Sequence, residues 1–229
     1  MSLAMGRPIV TAAALADHRA RLPGVNDVIW APLYDFQTYT GTTGHTQLSF
    51  FVAPIGQGTT SAQGATGTKT IADTNMNASG QLTKGNEFYA TGIEVMFFPG
   101  LQPGGGAVAG VDVGEFVDDT YILSRTGVLT FKVGSDRIYT QDSPLGQFPP
   151  VTRLACCAAV AGVPTATGTA MEISYAVLSG EPYTLTPIYI EANQGFQVVL
   201  TWPAAVPLTS TTDARIGVRL RGYLIRNAQ

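Results

Sequence analysis

Two histidines, His18 and His45, are the side chains of this chain best suited to general acid–base catalysis. A catalytic triad would place one of them beside a nucleophile, yet no G-x-S-x-G elbow occurs in the sequence. His18 falls in a predicted helix and His45 in a turn, and neither has Cys, Asp or Glu at the spacing of metal ligands. We interpret both as surface histidines and predict that the chain is not an enzyme, with no catalytic, cofactor-binding or metal-binding residue.

Four carboxylates cluster in the segment VDVGEFVDDT, namely Asp112, Glu115, Asp118 and Asp119. Carboxylate oxygens are the ligands that calcium prefers, but this spacing matches no EF-hand loop. We therefore interpret the segment as a solvated acidic loop, and calcium binding between Asp112 and Asp119 stays open as an alternative.

Glycine-rich segments could cradle a phosphate through backbone N–H groups. In GATGTKT, from Gly64 to Thr70, Thr68 separates the last glycine from Lys69, and no apolar strand precedes the segment. The run GGGAVAG lacks the strand–turn–helix context of dinucleotide binding. Both glycine-rich stretches, residues 56–70 and 100–114, are therefore predicted to be flexible polar loops.

The charge balance argues against nucleic acid as the principal partner. Lys and Arg number 13 against 16 Asp and Glu, which gives a formal net charge of −3, whereas nucleic-acid-binding domains are usually basic. Charged residues make up 13% of the chain, about half of the ~25% typical of soluble domains. A surface with so little charge is typical of a protein that contacts other subunits.

The two cysteines, Cys156 and Cys157, are adjacent in sequence, and neighbouring cysteines rarely form a disulfide because the geometry is strained. We expect free thiols in a reducing compartment. The N-terminus lacks the apolar region of a secretory signal, and no apolar run approaches the roughly 18 residues needed to span a membrane. These features predict a protein made in a cytoplasm.

The elements that would position any site are mostly strands. One stretch, Thr11 to Leu22, is typical of a helix, with Thr11 as its N-cap and Pro23-Gly24 as its stop. After it, short apolar segments alternate with turns, and Gly and Pro together number 26 + 14 = 40. TYILS (Thr120 to Ser124) and TRLACCAAVAG (Thr152 to Gly162) are read as two of these strands. The sequence therefore predicts an all-β sandwich or jelly roll behind a helical arm.

Two strands have faces that the alternation of side chains defines. In Tyr89 to Phe98 both faces are apolar toward the end, which predicts a strand covered on both sides. In the closing strand the apolar residues share one face and the arginines share the other. We expect burial of Ile216, Val218, Leu220 and Leu224, and outward-facing Arg215, Arg219 and Arg221 in exposed ion pairs worth ~0–1 kcal/mol.

Three segments carry a resemblance to a known family. They are DTNMNASGQLTKGNEFYATGIEVMFFPG (Asp73 to Gly100), GVLTFKVGSDRIYTQDSPLGQFPPVTRL (Gly127 to Leu154) and the ending FQVVLTWPAAVPLTSTTDARIGVRLRGYLIRNAQ. Together they resemble the major capsid proteins of small tailless icosahedral phages, the lineage built on the double jelly roll. The resemblance covers about the last two thirds of the chain and includes no catalytic signature.

The resemblance implies a fold and a set of partners. The fold would be two antiparallel barrels of about eight strands side by side, with residues 1–26 as the arm, 27–135 as the first jelly roll and 136–229 as the second. Three chains would form a trimeric capsomer, and capsomers would tile an icosahedral virion shell. Other virion proteins, such as a vertex protein, would be partners, and contact of the arm with an underlying membrane stays open. No sequence-specific nucleic-acid partner is expected.

Two alternatives remain. Because 229 residues are few for two barrels, a single jelly roll with long loops is the other fold. A jelly-roll module that binds carbohydrate or another ligand is the other function, and it would present exposed Trp or Tyr rings. Trp30 and Trp202 lie in apolar strands, so we expect both in the core.

Overall fold

The computed structural model describes residues 26–62, 65–100, 113–135, 137–148, 154–161, 172–178 and 183–227. Within these ranges the chain is mostly β, with a single α-helix, α1 (Val113–Thr126), and a 3-10 turn at Leu145–Gln147. The strands are β1 (Asn26–Trp30), β2 (Leu33–Tyr39), β3 (Gln47–Phe50), β4 (Asn86–Phe98), β5 (Val128–Val133), β6 (Arg137–Pro144), β7 (Leu154–Ala161), β8 (Glu172–Leu178), β9 (Tyr183–Ile190), β10 (Phe196–Thr201) and β11 (Ala214–Asn227). The predicted helix from Thr11 to Leu22 lies outside the described residues.

The strands form two curled antiparallel sheets and a separate hairpin. One sheet has the order β1-β11-β4-β9, with β2 also paired to β11, and the other has the order β3-β10-β5-β6. β1 and β2 pair with successive halves of β11, so they act as one broken strand. The first strand then pairs with the last, β3 with β10, β4 with β9 and β5 with β6. This nested pairing is jelly-roll-like.

The pairing runs across the predicted boundary between residues 135 and 136. In both sheets, strands before residue 135 lie beside strands from the last third of the chain. Residues 27–135 and 136–229 therefore do not form separate pairs of sheets among the described residues. The mostly β composition with curled antiparallel sheets is confirmed and is compatible with a jelly-roll-like fold, whereas two barrels side by side are not confirmed.

The core lies between the two sheets and is rich in aromatic side chains. Tyr39, Phe50, Phe131 and Trp202 are all nearly or fully buried there. The prediction that Trp202 lies in the core is therefore confirmed. The same prediction for Trp30 is wrong, because Trp30 ends β1 with 57% of its surface exposed and packs edge-on against Tyr223. An apolar neighbourhood in sequence did not reveal that Trp30 lies on the outer face of its sheet.

The two long strands at the centre of the larger sheet have the predicted faces. On β11, Ile216, Val218 and Leu220 are buried in the core, Leu224 packs partly against it, and the arginines lie on the other face. On β4, Ile93 faces the core while Glu94 and Met96 are buried on the opposite face, which confirms a strand covered on both sides. A bulge beside Thr91 shifts the register, so Ala90 and Ile93 are both core residues.

The segment TYILS is not a strand, because it lies within α1. Leu123 of α1 enters the core, and Trp202 Nε1–H donates to the Leu123 carbonyl at 3.1 Å. That carbonyl belongs to the last turn of the helix, so the bond ties the end of α1 to Trp202. Tertiary contacts therefore select a helix in a segment whose Thr, Tyr and Ile favour strands.

The TRLACCAAVAG segment is a strand as predicted, since Leu154–Ala161 forms β7 and pairs with β8. The thiols of Cys156 and Cys157 lie outside the described side chains, so their free state stays a prediction. Among the described residues, no helix has the length and apolar character needed to cross a bilayer.

Candidate functional site

The long connection between β3 and β4, residues 51–85, is held against the edge of β2 by buried polar side chains. Its centre is Lys69, which was predicted to lie in a flexible loop. Lys69 Nζ lies 2.5 Å from Asp35 Oδ1, and the two side chains are 4% and 0% exposed. The other oxygen of Asp35 accepts the Phe51 N–H at 2.7 Å. Burial raises the pKa of Asp35, although the charge of Lys69 and these hydrogen bonds oppose the shift.

A second buried carboxylate, Asp73, accepts hydrogen bonds from several residues of the same connection. It accepts hydrogen bonds from Thr60 Oγ1 at 2.6 Å, from the Ser61 N–H and Oγ at 2.8 Å each, and from the Thr70 N–H at 3.0 Å. Arg215 lies 3.9 Å away. Burial by itself would raise the pKa of Asp73, but the hydrogen bonds from Thr60, Thr70 and Ser61 outweigh it and lower that pKa.

Replacing Asp73 with asparagine should therefore destabilise the fold in a pH-dependent way. A carboxyl whose folded pKa is lowered stabilises the protein above its unfolded value of 3.8 and loses that contribution as pH falls further. We expect Asp73→Asn to cost about 1–3 kcal/mol at neutral pH, as for lost hydrogen bonds to a charged group. Urea unfolding at neutral and acidic pH measures the difference, which should shrink in acid. A difference that grows in acid would contradict this account.

On the outer face of the larger sheet, one buried carboxylate meets two arginines. Glu94 of β4 is fully buried, and Arg219 of β11 grips it through Nε–Oε1 at 2.9 Å and Nη2–Oε2 at 2.8 Å. Arg221 Nε adds a third hydrogen bond to Oε1 at 2.6 Å. The arginine row thus pairs with an acidic residue of a neighbouring strand, as predicted, but the pairs are half-buried rather than exposed.

Arg215 links the outer face of the larger sheet to the connection formed by residues 51–85. Its guanidinium stacks 4.0 Å from the centre of the Phe36 ring, and its Nε donates to Ser61 Oγ at 3.1 Å. Phe36 lies so close over Gly217 that a Cβ there would come within 2.2 Å of the ring. A glycine at this position of β11 therefore leaves room for the ring.

Arg219→Ala is expected to cost more than an exposed ion pair would. The substitution removes the bidentate partner of a buried carboxylate, so we expect a loss of about 1–3 kcal/mol. Arg226→Ala is the matched control, because Arg226 pairs with Asp27 where both side chains are about half exposed; its cost should be ~0–1 kcal/mol. Equal urea midpoints for the two variants would show that Glu94 does not depend on Arg219.

Those residues singled out for chemistry that the structure describes form no common metal-binding group. His18 and Asp112 lie outside the described residues. His45 accepts the Thr40 N–H at 3.1 Å and packs its ring edge-on against Tyr39. In the part of the chain that the structure describes, no group of three or more His, Cys, Asp or Glu side chains could hold a metal ion.

Asp119 of the acidic segment is not solvated, contrary to expectation. It is fully buried on α1, accepts the Ser210 N–H at 3.2 Å and lies 2.5 Å from Ser210 Oγ. Its role is to tie α1 to the loop before β11. Asp118 beside it is exposed.

Comparison of the chain with protein-family models, with curated proteins and with solved structures gives no match. The function must therefore be argued from the residues and the fold.

The sequence contains only weak signals for the buried charged residues described above. Asp35 interrupts an apolar strand, and Lys69 is the single cation in the polar stretch from residue 56 to residue 70. A buried charge requires a partner, so these two exceptions could have been paired. The spacing of Glu94 from Arg219 and Arg221 offers no such signal, because 125 and 127 residues separate them.

Proposed function

We propose that the chain is a structural protein, the major capsid protein of a small tailless icosahedral phage. The observation that carries the proposal is the position of the three segments that resemble that family. They supply β4 and β11 at the centre of one sheet, β5 and β10 at the centre of the other, and β6 at the edge of that second sheet. The resembling residues therefore belong to one jelly-roll-like unit rather than to scattered loops.

The pairing favours one jelly roll in each chain over the double jelly roll. Each sheet takes strands from both predicted halves, and a second barrel would need its own complete pair of sheets. A shell subunit also benefits from loops of defined shape, which Lys69 and Asp73 provide for residues 51–85. Its partners would be two further copies in a trimeric capsomer, neighbouring capsomers and a vertex protein, and its location would be the virion.

Assembly of the purified chain tests the proposal. We expect sedimentation to show trimers, and electron microscopy to show closed shells at higher concentration, because closed symmetry buries large interfaces. A protein that stays monomeric across micromolar concentrations contradicts the capsid function. Deletion of residues 1–24 should keep the β-sheet circular dichroism and impair shell formation, whereas loss of folding would show that this segment is part of the core.

A ligand-binding module is the second candidate, and the exposure of Trp30 favours it. Such modules present aromatic rings to solvent, and Trp30 is more than half exposed beside Tyr223. A monomer whose Trp30 fluorescence changes on addition of saccharide would favour this candidate over the capsid function.

A further inference from the structure

The turn between β2 and β3, residues 40–46, packs against the loop before β11, residues 202–213. The Leu208 N–H donates to the Gly41 carbonyl at 2.8 Å. In the opposite direction, the Gly41 N–H donates to Asp213 Oδ1 at 2.9 Å. The contact between the two segments therefore depends on the shape of the turn.

His45 holds the turn closed through its imidazole ring. Its Nε2 accepts the Thr40 N–H at 3.1 Å, and the ring packs edge-on against Tyr39 with 5.0 Å between the ring centres. The His45 N–H also donates to the Tyr39 hydroxyl at 3.3 Å. A ring nitrogen accepts a hydrogen bond only when it carries no proton. The closed turn therefore requires the neutral imidazole with its proton on Nδ1.

Protonation of His45 removes the hydrogen bond to Thr40. An imidazolium carries a hydrogen on both nitrogens and accepts none, so the Thr40 N–H would face a second donor. Burial lowers the pKa of His45, although Asp213 opposes the shift. A histidine with a lowered folded pKa contributes stability above its unfolded value of 6.5 and loses it as pH falls through the folded value. The turn should therefore weaken in mildly acidic solution.

The titratable groups around His45 favour a new position for the charged ring. His45 and Asp213 line an open groove of about 730 Å³, which leaves room for the ring to turn toward the carboxylate. Lys69, also in the wall of the groove, is ion-paired with Asp35. Tyr39 stays neutral, because burial raises the pKa of its hydroxyl. Since Asp213 accepts a backbone N–H of the turn, an ion pair with His45 competes with that bond too.

We propose that His45 is an acid-sensitive switch, whose protonation frees the Thr40 N–H and opens the turn between β2 and β3 away from the loop before β11. The switch goes beyond the proposed assembly function and does not depend on it.

Two exchange measurements by mass spectrometry test the proposal, and both work whether or not the chain assembles. Hydrogen exchange at the imidazole C2–H gives the pKa of His45, which should lie below 6.5. Amide exchange is compared at about pH 8 and about pH 5, the range in which histidine changes charge. After correction for intrinsic rates, the protection of residues 40–46 should fall about tenfold in acid, as for one lost hydrogen bond. Residues 128–133 of β5 should keep their protection, because the expected change is local.

Three variants separate the switch from other effects of acid. His45→Gln keeps an acceptor for the Thr40 N–H without a titrating ring, so the turn should stay protected at both pH values. His45→Ala removes the acceptor and should lower the protection at both. His18→Gln is the matched control, because His18 is the other histidine of the chain, and it should behave like the parent.

Three results would overturn the proposal. They are a folded pKa of His45 at or above 6.5, equal protection of residues 40–46 at both pH values in the parent chain, and loss of that protection in acid in His45→Gln as well. A fourth, loss of protection in residues 128–133 together with the turn, would show acid unfolding of the whole sandwich instead of a switch. Particle formation is measured separately, so failure here leaves the capsid proposal standing.

Discussion

An aspartate in place of Val218 is expected to unfold the sandwich. Val218 is fully buried at the centre of β11, between Val95 of β4 and Asp35 of β2. A carboxylate there loses its hydration without gaining a hydrogen-bond donor, which costs several kcal/mol. It also lies directly opposite Asp35, and like charges on paired strands repel. Because a domain of this kind is stable by only about 5–15 kcal/mol, the variant should be largely unfolded at room temperature.

The matched control is the same substitution at an exposed valine. Val52 is 43% exposed, so Val52→Asp should shift the urea midpoint little, within about 0.5 kcal/mol. Circular dichroism and urea unfolding compare the two variants. If Val218→Asp folds as well as Val52→Asp, the assignment of the β11 faces is wrong.

Lys69→Met is expected to have the second largest effect. The substitution keeps the length of the side chain but leaves the Asp35 carboxylate buried without its cation, a change that typically costs about 3–5 kcal/mol. The pKa of Asp35 is already raised by burial, and loss of Lys69 removes the strongest opposing influence, so it should rise further. A carboxyl with a raised folded pKa contributes stability below its unfolded value of 3.8 and loses it as pH increases. The variant should therefore be least stable, relative to the parent chain, at neutral pH.

Two companions make the test specific. The double variant Lys69→Met with Asp35→Asn removes both charges and keeps an acceptor for the Phe51 N–H, so it should recover most of the loss. Lys84→Met, at an exposed position of the same connection, should be close to neutral. Urea unfolding gives the free energies, and limited proteolysis reports whether residues 51–85 detach first. A Lys69→Met variant as stable as Lys84→Met would show that the buried pair does not hold the connection.

Sequence periodicity identified the buried residues correctly where one face of a strand packs against the core and the other does not. The alternation in β11 identified Ile216, Val218 and Leu220 as buried, and the apolar run before Pro203 placed Trp202 in the core. Such patterns report local burial directly, because successive side chains of a strand point to opposite faces.

Sequence periodicity gave the wrong secondary structure or the wrong burial where contacts with a distant segment of the chain decide them. The segment TYILS has the residue types of a strand, yet it forms part of α1, where Leu123 and the preceding Asp119 contact Trp202 and Ser210. Trp30 sits in an equally apolar segment and is exposed, because β1 lies at the edge of its sheet and the ring faces outward.

By itself the sequence determined that the chain is β-rich and which residues of the last strand are buried. Only the tertiary structure decided which strands pair, and it places strands from both halves of the chain side by side in each of the two larger sheets. The physical reason is that side-chain periodicity records whether a residue is covered but not which segment covers it. The buried charges show the same limit. Asp35, Asp73 and Glu94 need the partners that compensate their burial, which are Lys69, the hydrogen-bond donors of Thr60 and Ser61, and Arg219, and only the fold brings these groups into contact.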